Sequence, residues 1–307
     1  MWRAKKVASL FKLTGHGFIE DNCFKLSAAL SYYTVFAIGP LLIIIISLAG
    51  IFYGKEAVQG KLYGEIIVLV GSETAKQIQD IIANIQKSQT TTTGAVVGTI
   101  ILVVGATGVF TEMQDSINYI WSVRAKPKKG WLKLLMDRLL SFSLVVGMGF
   151  VLLVSLIINA VLNLMGDKLT RLISKDTVSY FNALNYLIIL VVITGLFAVI
   201  FKVLPDAIIS WKDALIGAVL TATLFILGKL GIGFYLEKAN LDITYGAAAS
   251  IIVILVWVYY SSLILFFGAE FTKMYAIHAG AGIRPKDTAV FIIKKETREV
   301  PESYLNM

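Results

Sequence analysis

Six side chains are of a type and in a place that could do chemistry: Glu112, Asp115, Arg138, Lys229, Tyr259 and Glu270. Each lies in, or at the edge of, a long apolar run, where an ionisable group points to function by default. The three carboxylates are candidates for carrying a coupling proton, and Lys229 and Arg138 for holding an anionic head group. Structural readings stand beside these. Glu112 and Asp115 could pair with Lys25, Arg124 or Arg138 and pin two helices, and Glu270 has Lys273 three residues on, one helical turn away. Lys229 shares a helix face with Ala218, Ala222 and Gly233, which suits an inward orientation, while its long stem equally suits snorkelling to the head groups.

No catalytic set accompanies them. One cysteine, Cys23, leaves no internal disulfide, and two histidines, His16 and His278, leave no Cys/His zinc site. Phosphodiester cleavage needs carboxylates holding metals about 4 Å apart, or a histidine acid/base pair. The candidate inner-face acids, Glu112, Asp115, Asp137, Asp206, Asp213 and Glu270, show no such spacing. The expectation is therefore a protein that is not an enzyme, with no cofactor, no metal and no nucleic-acid partner.

The elements that position these residues follow from composition. Hydrophobic residues make up 57% of the 307 and charged residues 16%, with a mean hydropathy of +0.77, which is outside the soluble globular range. A bilayer core takes about 20 apolar residues as a helix. Leu26 to Gly54 has 29 uncharged residues, too long for a signal peptide, and Ile243 to Ala269 has 27. The pattern predicts an all-α polytopic membrane protein with six transmembrane helices, over residues 26–54, 93–120, 139–166, 177–201, 213–236 and 243–270, in a single membrane domain of residues 26–279. Residues 1–25 interleave basic and apolar side chains as an N-terminal interfacial helix. The outer loop, 55–92, holds a short amphipathic helix with Ile78, Ile81, Ile82 and Ile85 on one face, and 280–307 is a basic, partly disordered tail. Gly39-Pro40 kinks the first span, because proline leaves the carbonyl of Phe36 without its donor. That kink is either structural or a gate.

Two seams of small residues run through this framework. Gly94, Gly98, Gly105 and Gly108 lie within about 60° of the line carrying Glu112 and Asp115. Gly246, Ser250, Trp257, Ser261 and Gly268 form a similar stripe on the last span. Small-residue stripes let membrane helices approach closely, so the two seams are natural partners, with Tyr259 and Glu270 left to border a cavity. Of 28 Lys and Arg residues, 19 fall in the arm, the second and fourth connections and the tail. Both termini are thus expected in the cytoplasm.

The segments SAALSYYTVFAIGPLL (27–42), EMQDSINYIWSV (112–123), VLPDAIISWKDALIGA (203–218), GKLGIGFYL and the YGAAAS, WVYYSS and GAEF stretches of the last helix together resemble the YihY/BrkB family. The likeness covers nearly the whole chain. It implies a six-helix protein of the bacterial cytoplasmic (inner) membrane with both termini inside. It also carries associations with serum resistance, virulence and envelope lipid export, and an older label as a tRNA-processing ribonuclease. The reading that joins residues and resemblance is a transporter or flippase for an amphiphilic or lipid-linked envelope substrate. A non-catalytic envelope scaffold and a ribonuclease are the alternatives. Expected partners are membrane lipids and an anionic lipid or amphiphile, and a homo-oligomer is compatible with the sequence.

Overall fold

The computed structural model describes residues 2–37, 75–77, 79, 108–126, 175–239, 245 and 248–294. The kink at Gly39-Pro40, the third span, Arg138, and Gly94, Gly98, Gly105 and Gly246 lie outside the described residues, as does the side chain of Ser250.

Helix α1 spans Trp2–Glu20. It turns at Asp21-Asn22, where Asn22 takes φ +52, and α2 covers residues 23–37. Helix α3 covers residues 108–120 and leads into strand β1, Val123–Ala125. Helix α4, Lys175–Val203, stops before Leu204-Pro205, since proline cannot continue the ladder. Strand β2, Ala207–Ile208, follows. The Ser210 hydroxyl then caps α5, Trp211–Lys238, accepting the Asp213 amide at 3.1 Å. Helix α6 is Ala249–His278 and ends through a turn at Gly282, φ +80. Strands β3, Arg284–Pro285, and β4, Ala289–Phe291, close the described chain.

Within these helices, Trp211–Leu236 and Ile251–His278 are long and apolar enough to cross a membrane, with mean hydropathies of 2.0 and 2.3. They pack by two reciprocal contacts. Thr272 lies against Gly217, and Thr221 lies against Gly268, so closely that a Cβ on either glycine would overlap the facing threonine. Each threonine donates its hydroxyl to the glycine carbonyl one turn back on its own helix, at 2.7 Å for Thr221 and 2.6 Å for Thr272. That settles a polar group with no water to serve it. Aromatic edges continue the interface through Phe197, Phe225 and Trp257. Helix α1 docks on α6, with Phe11 5.4 Å from Phe271 and Phe18 5.8 Å from Phe267.

Three expectations need correction. The fold is mostly helical but not purely so: β1 pairs with β4 and β2 with β3, both antiparallel. Strands of two or three residues have too few positions to show a period. The last helix runs to His278 instead of ending at 270, because Glu270 and Lys273 neutralise each other and the helix continues through them. Gly268 faces Thr221 of α5 and Gly108 packs on Tyr33 of α2, so these two members of the seams do not meet. Within the tail, expected to be partly disordered, the stretch 284–294 is ordered, held by these ladders and by an ion pair described below.

Candidate functional site

Two places gather the groups with chemistry. The first is the end of the bundle where β1 to β4 lie, here called the base. It holds four charged side chains from three parts of the chain. Lys273 lies 3.0 Å from the Glu270 carboxylate and 3.2 Å from Asp21, and the second Asp21 oxygen takes the ammonium of Lys294. Glu270 is fully buried and Asp21 nearly so. Two acids and two lysines make a neutral quartet, the condition on which buried charge is tolerated. Gly17 makes the room, since a Cβ there would overlap the Glu270 carboxylate. Lys294 also rests over the Tyr119 ring at 4.3 Å, and burial pulls its ammonium below its usual range against the pull of Asp21. Beside them the buried Cys23 thiol is pushed up to about 12, first by desolvation and then by the charges of Glu270 and Asp21.

Further hydrogen bonds extend the base. Asp206 accepts from Asn118 Nδ2 at 2.9 Å and Gln114 Nε2 at 3.3 Å, while its own N–H donates to Asn118 Oδ1 at 2.8 Å. Trp121 Nε1 donates to the Ala269 carbonyl at 3.0 Å. Asp213 accepts the Ala281 amide at 3.0 Å. Lys202 donates to the Ile209 carbonyl beside Trp211.

The second place is a cleft between α5 and α6, lined by Phe225, Lys229, Ile232, Trp257, Tyr260, Ser261 and Ile264. Lys229 lies roughly 27 Å along α5 from Trp211 at 1.5 Å per residue, in the half of the helix far from the base. The cleft's walls are apolar and its polar groups are mainly donors: the Lys229 ammonium, the Tyr260 hydroxyl and the Trp257 indole N–H, which is buried and meets no acceptor among the described residues. Ser261 spends its proton on the Trp257 carbonyl at 2.9 Å. Gly228, one residue away, admits the Tyr260 ring, because a Cβ there would meet the hydroxyl at 2.6 Å.

The structure thus separates the sequence candidates. Lys229, Trp257 and Ser261 share the cleft, with Tyr259 half-buried next to Tyr260. Glu270 belongs to the base quartet and faces α1, not a cavity bordered with Tyr259. Glu112 is half-buried and accepts from Ser116 at 3.4 Å, Asp115 is exposed, and Gly108 packs on the Tyr33 ring. Asp21, Lys294, Gln114, Asn118 and Tyr260 escaped sequence reasoning. A signal existed for some of them. Asp21 is one of two acids in a basic arm, and Gln114 and Asn118 sit one turn apart on one face. Among the described residues, no three His, Cys, Asp or Glu side chains converge to hold a metal.

Comparison with known proteins adds the family. Residues 14–290 match the family described as virulence factor BrkB. A UPF0761 membrane protein of Alcanivorax borkumensis is 28% identical, covering 98% of this chain and 65% of the relative. That of Saccharophagus degradans is also 28% identical, covering 84% and 58%, and that of Tolumonas auensis 31%, covering 57% and 56%. The chain spans about 60% of the length of these curated relatives. No solved structure matches it. With a family match over residues 14–290 and relatives that are membrane proteins along nearly its full length, the chain belongs to the virulence factor BrkB family.

Proposed function

We propose that the protein moves an amphiphilic or lipid-linked envelope substrate with an anionic head across the bacterial cytoplasmic (inner) membrane, with both termini in the cytoplasm. The observation that carries this reading is the cleft of Lys229, Trp257 and Tyr260, where three donors sit among apolar walls inside two apolar helices. Donors in a low-dielectric wall suit a phosphate or carboxylate head and the apolar side chains suit its acyl portion; the recess holds no space for a water molecule in this structure, so a bound head would have to widen it. The base quartet contributes rigidity, not substrate contact. Glu112 and Asp115 are the coupling candidates, being the acids of α3 outside that quartet.

The test is movement of a fluorescent anionic lipid in proteoliposomes made from the full chain. Lys229→Gln should slow it at least ten-fold, with Lys229→Arg recovering most of the rate. An unchanged rate in Lys229→Gln would sink the reading. Glu112→Gln combined with Asp115→Asn should abolish proton-driven movement while folded protein is recovered in normal yield. Retained coupling removes those two residues from the mechanism.

A further inference from the structure

The segment after α6 touches the base ends of α1 to α5. Its first turn packs on the start of α5, where Gly280 lies against the Asp213 carboxylate and Ala281 donates to it. Strand β3 pairs with β2 just after α4, and Lys286 donates its amide to Asp206 O at 3.0 Å and its ammonium to Val203 O at 3.3 Å. Strand β4 pairs with β1 just after α3, Lys126 donates to Thr288 O at 2.7 Å, and Ile292 donates to Ser122 O at 2.8 Å. Lys294 ends the run on Asp21, at the turn between α1 and α2, and on Tyr119 of α3. Fifteen residues thus cross five helix ends, and the joints are mostly edge hydrogen bonds and one ion pair: Arg284, Val290, Phe291 and Ile293 are exposed, while Ala289 alone is buried in the core, with Ile283 packed against it.

We propose that residues 280–294 are a releasable strap that closes the base of the helix bundle, and that lifting it from Asp21 opens that end. Naming the lifted form the inward-open state of a carrier rests on the transport reading; the strap itself does not. Two features make the contact a switch. Short two-stranded ribbons are marginal alone, so the strap stays down through the sum of its joints. The ion pair at its far end is the joint with the longest reach along the chain, 273 residues between partners.

Cys23 reports the lifting. It is the chain's single cysteine, it is fully buried, and Asp21 and Lys294 are among the charges acting on it. Full-length protein in lipid nanodiscs would be treated with a water-soluble maleimide, and Cys23 labelling followed by peptide mass spectrometry. Lys294→Ala should label at least ten-fold faster than the wild type, and Lys294→Arg close to the wild-type rate. A second variant keeps the test open if Lys294→Ala fails to fold. Arg124 and Val290 are directly paired across β1 and β4 and both exposed, at a Cα separation of about 5 Å that a disulfide spans. In Arg124→Cys/Val290→Cys, oxidation should slow Cys23 labelling several-fold relative to the reduced form. Equal labelling in wild type and folded Lys294→Ala, or no effect of the disulfide, overturns the strap. If Cys23 behaves as expected while none of these proteins moves lipid, the strap stands and the transport reading falls.

Discussion

Two lysines on neighbouring helices have opposite surroundings. Lys273 of α6 is clasped by two carboxylates and shares Asp21 with Lys294, so that the quartet is neutral. Lys229 of α5 stands beside the apolar and aromatic side chains of Phe225, Ile232, Trp257, Tyr260 and Ile264, with Ser261 committed to the Trp257 carbonyl. The same residue type is structural in the first setting and, under the proposed function, a recognition group in the second.

This contrast can be broken. The largest expected effect is at the base, where Lys273→Met leaves Glu270 and Asp21 facing each other in a buried site. That should cost about 3–5 kcal/mol, read as a large fall in melting temperature in detergent, whereas Lys229→Met should lower the melting temperature less while lowering lipid movement. Equal losses of stability would erase the distinction. Next is the interlock of α5 and α6. Gly268→Val must displace Thr221, and overpacking of this kind costs about 1–3 kcal/mol; the same assay should place it between the two lysine variants.

A smaller effect concerns pH. The folded Cys23 thiol is held up to about 12, above the ordinary value near 8.5 of an unfolded cysteine. The unfolded chain therefore loses that proton first, and stability is full below about pH 8.5 and falls as pH rises from there toward 12. Cys23→Ala should flatten the alkaline side of a melting-temperature profile, and a profile unchanged by the substitution would show that the thiol is not desolvated in solution. The smallest effect is backbone strain. Ser122 takes φ +56, a conformation that costs a side-chain-bearing residue about 1 kcal/mol. Ser122→Gly should raise the melting temperature slightly without changing Cys23 labelling.

What could be read without coordinates followed physical range. Runs of apolar residues announced α5 and α6 to within eight residues, because a span is a property of contiguous sequence. Glu270 with Lys273 was legible for the same reason, at three residues' separation. Asp21 with Lys294, or Asn118 with Asp206, was not, since partners 273 and 88 residues apart leave no local period. The strands at the base were hidden twice over, being both short and paired across long separations. Lys229 illustrates a middle case: its place in an apolar run marked it as unusual, but the company of Trp257 and Tyr260 required the register between two helices.

The paired glycines and threonines of α5 and α6 carry one further implication. With Gly217 against Thr272 and Thr221 against Gly268, the two helices cannot slide past each other without driving a methyl or hydroxyl into backbone. They travel as one plank. Under the transport reading proposed above, that plank is a wall of constant outline, and a route beside it would widen only where other helices turn away from it.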